Sequence, residues 1–157
     1  MVVVMDISIR PVTLEDAEII ERLYRQSSTY LRLLGDQSDF RFNSHVYCRD
    51  GFGEKPAFSG VVAVLNGELV GYLLYTLAYD TDRAMPYLFV IDLVVDEQLR
   101  GQGIGKALMG RAASICQAVG GDELFWAVYE RNRLAMDFYK RLGAEEATDL
   151  RFMTLRV

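Results

Sequence analysis

The sequence has little of several residue types that define whole classes of protein. The 157 residues include two cysteines and one histidine. Two cysteines are too few for a disulfide framework. No cluster of His, Cys and carboxylate residues has metal-ligand spacing, so we expect no metal. Cys116 falls inside a helical pattern, which favours a buried thiol over a catalytic one. A reducing, cytoplasmic setting is the default expectation.

Signatures of membrane and nucleic-acid partners are also missing. The apolar run Met1–Met5 is short and has no basic flank, so it predicts neither a signal peptide nor a membrane span. Lys and Arg number 17 against 22 Asp and Glu, giving a net charge of −5. Without a basic stripe we expect no nucleic-acid partner. A composition that is 51% hydrophobic, without repeats or linkers, predicts a single domain over residues 1–157.

Hydrophobic periodicity predicts a mixed α/β order in which hairpins come first and crossovers later. The dipeptide Asn66-Gly67 is a strong signal for a tight hairpin. The predicted strands are Asp6–Arg10, Ser59–Leu65, Glu68–Ala78, Tyr87–Val95, Glu123–Val128 and Arg151–Val157. The predicted helices are Leu14–Tyr30, Asn43–Arg49, Ala107–Val119 and Arg131–Leu142. The segments 24–58 and 79–86 carry no recognisable motif.

A glycine-rich turn, Arg100-Gly101-Gln102-Gly103-Ile104-Gly105-Lys106, joins an apolar strand to a helix. The first N–H groups of a helix lack internal acceptors, and the helix dipole adds partial positive charge there. Glycines let that backbone approach a phosphate closely. The spacing excludes a P-loop, because Arg100 stands where its first glycine belongs, and excludes a dinucleotide fingerprint, whose third glycine would fall on Lys106. The turn predicts another kind of pyrophosphate site.

Three stretches together carry a family resemblance. They are Leu93-Val94-Val95, Arg100 to Gly105, and Asn132-x-x-Ala135-x-x-Phe138-Tyr139-x-x-Leu142-Gly143. This combination resembles the GNAT superfamily of acyl-CoA-dependent N-acyltransferases, and the segment 71–144 is similar to the diamine acetyltransferases of the spermidine/spermine type. The resemblance implies a GNAT-type α/β fold, with a central mixed β-sheet and helices on both faces, and acetyl-CoA as co-substrate.

The resemblance also implies a role for each stretch. The strand before the glycine turn would carry a bulge and splay from the next parallel strand, so that the backbone of Leu93, Val94 and Val95 binds the pantetheine arm. Tyr139 would contact the cofactor and act as the general acid that protonates the departing thiolate; packing beside Phe138 is its alternative role. Asn132 would hold the pantetheine arm through its amide, or serve as a helix cap. The pyrophosphate would be bound by Arg100, Gly101, Gln102, Gly103, Ile104, Gly105 and Lys106.

The sequence departs from the diamine acetyltransferases at the general base. Ile91 stands where those enzymes place a glutamate, so polyamine specificity does not follow from the resemblance. Asp92, water or a residue of the segment 31–58 would accept the amine proton, while Asp92 has the alternative of bracing a loop.

We therefore predict an acetyl-CoA-dependent N-acetyltransferase that acts directly on a primary amine of a small molecule. The alternatives are a protein or peptide N-acetyltransferase and a non-catalytic acyl-CoA sensor, which the missing glutamate at Ile91 would favour. The diamine acetyltransferases pair through their C-terminal strands, and an unpaired strand edge invites a partner. The predicted strand Arg151–Val157 thus indicates a homodimer.

Overall fold

The computed structural model describes residues 6–157, which divide into two compact units, one ending at Ala127 and the other spanning Val128–Val157. The elements are β1 (Ile7–Pro11), α1 (Ala17–Leu33), α2 (Ser44–Gly51), β2 (Ser59–Leu65), β3 (Glu68–Asp80), β4 (Met85–Val95), α3 (Ile104–Ala118), β5 (Leu124–Phe125) and α4 (Arg133–Arg141). Within the described residues the first unit contains a five-stranded sheet of order β1-β2-β3-β4-β5. Neighbouring strands are antiparallel except for the parallel pair β4–β5, so the sheet is mixed.

The predicted hairpin forms between β2 and β3. Leu65 pairs with Glu68, which leaves Asn66 and Gly67 as a two-residue turn with φ of 52° and 83°. Both values are positive, as the turn type that matches the twist of a hairpin requires. The Asn-Gly pair is therefore present because these two residues tolerate that backbone.

Helices cover both faces of the sheet, as predicted. On one face, Tyr72 and Val94 belong to a buried cluster with Ile20 of α1 and Tyr47 of α2. On the other face, a Cβ added to Gly71 would lie 3.3–3.4 Å from the Leu108 and Ile104 side chains of α3. Since neighbouring residues of a strand point to opposite faces, α3 lies across the sheet from α1 and α2.

Several helix boundaries differ from those expected from the sequence. The first predicted helical turn, Leu14–Asp16, is a 3-10 turn, and α1 continues to Leu33. Asp16 is buried there and accepts two hydrogen bonds of 2.8 Å from the Arg10 guanidinium, which ties α1 to β1. Cys116 is 1% exposed, confirming the buried thiol. Across residues 6–157 no helix has the length and apolarity needed to cross a membrane.

Two predicted strands need correction. The expected strand Glu123–Val128 is reduced to Leu124–Phe125, which pairs with two residues of β4. The expected strand Arg151–Val157 is wrong, because these residues form no strand within the described chain. Their apolar side chains are exposed, Met153 by 88% and Leu155 by 89%. An alternating apolar pattern reports strand propensity, but a strand also needs a neighbour for its backbone hydrogen bonds.

Candidate active site

A β-bulge lies in the middle of β4. Leu74 of β3 pairs with Asp92 and the next residue, Tyr75, pairs with Val90, so Ile91 is an extra residue on β4. Bulges bend a strand and redirect its side chains, and they are frequent beside active sites. The Ile91 side chain is 47% exposed and has no group that can accept a proton. The bulge expected from the resemblance is therefore present, one residue before Asp92.

Beyond the bulge, no strand within residues 6–157 pairs with the edge of β4 that faces away from β3, so this edge is called open. Its pairing with β5 covers two residues, both before the bulge. On the other edge, the Asp96 N–H donates to the Val70 carbonyl at 2.8 Å, which fixes the phase of the antiparallel ladder with β3. Hydrogen-bonded pairs alternate along such a ladder, so the N–H and C=O of Leu93 and Val95 point away from β3. Those of the intervening Val94 point toward β3.

Asp92 lies on the face of the sheet that α1 covers. The buried Tyr72 hydroxyl donates a hydrogen bond of 2.6 Å to Asp92 Oδ2. Burial raises the pKa of Asp92 to about 6, against the opposing effect of hydrogen bonds from Tyr72 and from the Leu93 N–H. Burial and the negative charge of Asp92 likewise raise the pKa of Tyr72. The carboxylate is thus available as a proton acceptor close to neutral pH.

Tyr24 of α1 belongs to the same group. Burial, followed by the charge of Asp92, raises the pKa of Tyr24, and its ring packs edge-on against Phe42 with centroids 5.3 Å apart. Sequence reasoning assigned no role to Tyr24 or Tyr72. The helical period of α1 places Tyr24 on the side facing the sheet, but the bulge at Ile91 shifts the strand register, so the Tyr72–Asp92 contact is not visible in the alternation of residues.

The glycine turn presents backbone rather than side chains. Gly101 and Gly103 have φ of 78° and 84°, and nothing lies within 4 Å of a Cβ built on either. Gly103 is the N-cap residue of α3. The Ile104 side chain is 1% exposed and packs toward Gly71, so it anchors the turn. An uncovered run of N–H groups at a helix N-terminus can bind an anion.

Helix α1 braces the segment that enters this turn. The Arg22 guanidinium donates to Asp96 Oδ2 at 3.1 Å, and the Arg100 guanidinium lies 5.8 Å from the centroid of the Tyr30 ring. The exposed Arg100 side chain is therefore held against a helix that also supplies Tyr24.

The second unit carries the remaining predicted residues. Asn132 caps α4, because its Oδ1 accepts a hydrogen bond of 3.2 Å from the Ala135 N–H. Asn132 is therefore a helix cap, and the cap uses the oxygen of its side-chain amide. Tyr139 is half-buried, with its ring centroid 5.2 Å from that of Phe138. Seven residues are close to two helical turns, so Asn132 and Tyr139 lie on the same side of α4.

The first unit contains Asp92, the edge of β4 beyond the bulge and the glycine turn. The second unit, taken by itself, contains Asn132 and Tyr139. Within the described part of the chain, no group of three or more His, Cys, Asp or Glu residues could hold a metal ion. What the first unit offers is hydrogen-bonding backbone, an anion cradle and a carboxylate whose pKa is raised.

Comparison with known proteins identifies the class to which this site belongs. Residues 18–144 match the family described as the Acetyltransferase (GNAT) family, so the chain belongs to that family. The family uses acetyl-CoA to acetylate amines, and this chain is an acetyltransferase.

Individual relatives agree with the diamine group. The thialysine N-epsilon-acetyltransferase of Bos taurus is 34% identical over 142 residues, covering 85% of this chain and 81% of that protein. The spermidine/spermine N(1)-acetyltransferase-like protein 1 of Homo sapiens is 29% identical over 103 residues, or 61% of this chain and 15% of that protein. The crystal structure of a possible acetyltransferase from Clostridium difficile 630 shares the fold, with a TM-score of 0.79, 20% identity and coverage of 96% and 97% of the two chains.

Proposed function

We propose that this chain transfers the acetyl group of acetyl-CoA directly to a primary amine of a small molecule. One observation carries the proposal. The free backbone edge of β4 leads into an uncovered glycine turn at the N-terminus of α3. An amide-bearing chain that ends in a pyrophosphate matches both features, because its amides can pair like an added strand and its phosphates can accept from the helix N–H groups.

The hydrogen-bonding pattern between β3 and β4 limits which backbone groups of β4 can contact the cofactor. The outward C=O of Leu93 and the outward N–H and C=O of Val95 bind the pantetheine amides and the thioester carbonyl, because the Leu93 N–H already donates to the Asp92 carboxylate. Val94 is 3% exposed and contributes packing, since its backbone groups face β3. In the glycine turn, backbone N–H groups from Gly101 to Lys106 bind the pyrophosphate, with charge added by the side chains of Arg100 and Lys106. Gln102 completes the turn.

Asp92 serves as the general base in this proposal. An ammonium group cannot attack, so the acceptor nitrogen must lose a proton before or as its lone pair adds to the thioester carbonyl. Asp92, whose pKa is about 6, takes that proton directly or through a water molecule. Asp92 thereby takes the role of the glutamate that the diamine acetyltransferases place at the position of Ile91. The bulge at Ile91 supports this role because it lies immediately beside Asp92.

Tyr139 serves as the general acid. When the tetrahedral intermediate collapses, the carbon–sulfur bond breaks and the thiolate takes the phenolic proton of Tyr139. The acetyl group is then bonded to the acceptor nitrogen, and no covalent enzyme intermediate forms. Phenols keep their proton at neutral pH and can release it to a nascent thiolate. Asn132 uses Oδ1 for the helix cap, so its Nδ2 would be the group that holds the pantetheine arm.

The kind of acceptor distinguishes the proposed function from the two alternative functions. The name of the bovine relative supports a small-molecule amine, whereas a protein or peptide acetyltransferase would need a polypeptide acceptor and an acyl-CoA sensor would need none. The test is release of CoA thiol from acetyl-CoA with a panel of diamines, diamino acids and peptides with free N-termini. Turnover with small amines is expected. Turnover with peptides alone, or acetyl-CoA binding without any turnover, would overturn the proposal.

A further inference from the structure

One face of α1 contacts the segment 96–100, which leads from β4 into the glycine turn. Three residues of α1 spaced by four positions, Arg22, Gln26 and Tyr30, share this face, because residues four apart on a helix lie one above another. The same three residues line a groove of about 740 Å³, together with Glu97 of the segment. The helix and the segment therefore run along each other.

Asp96 is the residue through which the helix holds the start of the segment. Asp96 Oδ2 accepts a hydrogen bond of 3.1 Å from the Arg22 guanidinium, and Oδ1 accepts one of 3.1 Å from the Gln98 N–H. Burial opposes ionisation, but hydrogen bonds from the Gln98 N–H, Arg22 and Gln26 hold the pKa of Asp96 below its usual range. The Gln26 Oε1 atom also accepts from the Glu97 N–H at 3.4 Å. The start of the segment is thus fixed to α1 by both backbone and side chain.

Tyr30 contacts the other end of the segment. The Arg100 Cζ atom lies 5.8 Å from the centroid of the Tyr30 ring, which is within the range of a cation–π contact. Within the described residues 6–127, no carboxylate forms an ion pair with Arg100. The charge of Arg100 is therefore left for an anionic ligand, while the Tyr30 ring restricts the rotamers of its side chain.

Helix α1 is itself fixed on the sheet. On another side of the helix, Ile20 and Leu23 have no exposed surface and belong to one buried cluster with Tyr72 and Val94. Val94 lies on β4, the strand that leads into the segment. Because the helix and the strand share a core, the Tyr30 ring has a defined position relative to the glycine turn.

We propose that Tyr30 is a positioning residue for the cofactor, whose ring holds the Arg100 guanidinium at the edge of the glycine turn before the pyrophosphate binds. This inference rests on the proposed function, which places the pyrophosphate of acetyl-CoA in that turn. Ordering a long side chain on binding costs conformational entropy. A side chain that is ordered in advance reduces this cost. Tyr30 acts through Arg100, so its effect is confined to ligands that carry the pyrophosphate.

The test compares acetyl-CoA with S-acetylpantetheine, which has the same thioester and pantetheine amides but no pyrophosphate. Tyr30→Leu should raise the KM for acetyl-CoA roughly 3–10-fold, the usual effect of ordering one long side chain on binding. The kcat at saturating acetyl-CoA and the kcat/KM for S-acetylpantetheine should stay unchanged. Tyr30→Phe keeps the ring face and should restore the wild-type KM. Tyr79→Leu, the same substitution at a 61% exposed tyrosine of β3, is the matched control and should leave every constant unchanged.

Three outcomes would overturn the inference. An unchanged KM for acetyl-CoA in Tyr30→Leu would show that the ring does not assist Arg100. An equal loss with acetyl-CoA and S-acetylpantetheine would make Tyr30 a residue that stabilises the fold. A Tyr30→Phe variant as impaired as Tyr30→Leu would assign the effect to the hydroxyl instead of the ring face. A wild type that binds acetyl-CoA but acetylates no amine would reject the proposed function alone, since calorimetric Kd values for acetyl-CoA would then decide the role of Tyr30.

Discussion

The Tyr72 hydroxyl donates a hydrogen bond of 2.6 Å to Asp92 Oδ2. Tyr72 is on β3 and Asp92 is on β4, on the side of the bulge that leads to the glycine turn. This hydrogen bond lowers the pKa of Asp92 while burial raises it, and the balance leaves that pKa at about 6. Burial, opposed by this strand-to-strand contact, therefore sets the pH above which the proposed base is competent.

The first prediction concerns the pH dependence set by this pair. Tyr72→Phe removes the hydrogen bond that stabilises the carboxylate, so the pKa of Asp92 should rise further. The acidic limb of the profile of kcat/KM against pH should move from about 6 toward neutral pH. Tyr75→Phe changes a tyrosine three residues along the same strand and should leave the limb in place. Superimposable profiles for the two variants would remove Tyr72 from the positioning of the base.

The second prediction concerns the stability of the fold. Because the pKa of Asp92 is raised in the native state, that state binds the proton more tightly than the unfolded chain does. The contribution is fully present below about pH 4 and is lost as the pH rises through about 6. Above that pH the ionised, partly buried carboxylate opposes folding by on the order of 1–3 kcal/mol.

Asp92→Asn tests this linkage, because the amide oxygen still accepts from Tyr72 but does not ionise. The variant should be at least as stable as the wild type in urea at pH 7.5, with the difference shrinking toward pH 5. Its acetyltransferase activity should nevertheless fall, since its side chain cannot accept the amine proton. A variant that is markedly less stable at pH 7.5 would show that Asp92 braces the structure instead.

The third prediction concerns the cofactor cradle. Gly103→Val puts a branched side chain on a residue with φ of 84°, at the point where the pyrophosphate is expected to approach. Acetyl-CoA binding should weaken at least tenfold, on the order of 1.4 kcal/mol or more. Gly110→Val, in the middle of α3 where a Cβ also meets nothing within 4 Å, is the control for the substitution itself. Unchanged affinity by calorimetry in a folded Gly103→Val protein would reject the phosphate assignment.

The contrast between what sequence predicted and what it missed has a physical basis. Apolar periodicity reports burial, so strands β1 to β4 and helix α1 were predictable, whereas the expected strand Glu123–Val128 is reduced to Leu124–Phe125. The Tyr72–Asp92 contact was not predictable, because it depends on the extra residue at Ile91, which no pattern of apolar residues reveals. The segment Arg151–Val157 has strand-like composition, but composition cannot show whether a neighbouring strand exists within the chain.

The fourth prediction concerns that segment. The exposed apolar side chains of Met153 and Leu155 offer a surface that a second copy of the chain can cover, and exposed strand-forming segments favour such pairing. We predict a homodimer that depends on these residues. Light scattering at micromolar concentration should give twice the 17.8 kDa chain mass, and deletion of residues 151–157 should give the monomer mass. A monomeric full-length chain would contradict the prediction.

The fifth prediction decides whether Tyr139 takes part in the chemistry. Tyr139→Phe keeps the ring and its contact with Phe138 and removes the phenolic hydroxyl. Turnover with the best acceptor should fall roughly 10²–10⁴-fold, the usual contribution of a positioned acid, while acetyl-CoA affinity stays within a few-fold.

Tyr129→Phe, another half-buried tyrosine of the second unit, is the matched control and should retain activity. A thiolate whose thiol is more acidic leaves more easily without a proton from Tyr139. Replacing acetyl-CoA by an acetyl thioester of such a thiol should therefore restore part of the Tyr139→Phe activity. A loss of cofactor affinity at constant turnover would make Tyr139 a residue that binds the cofactor. Full activity in Tyr139→Phe would assign the ring to packing beside Phe138, and the acid would have to be sought elsewhere.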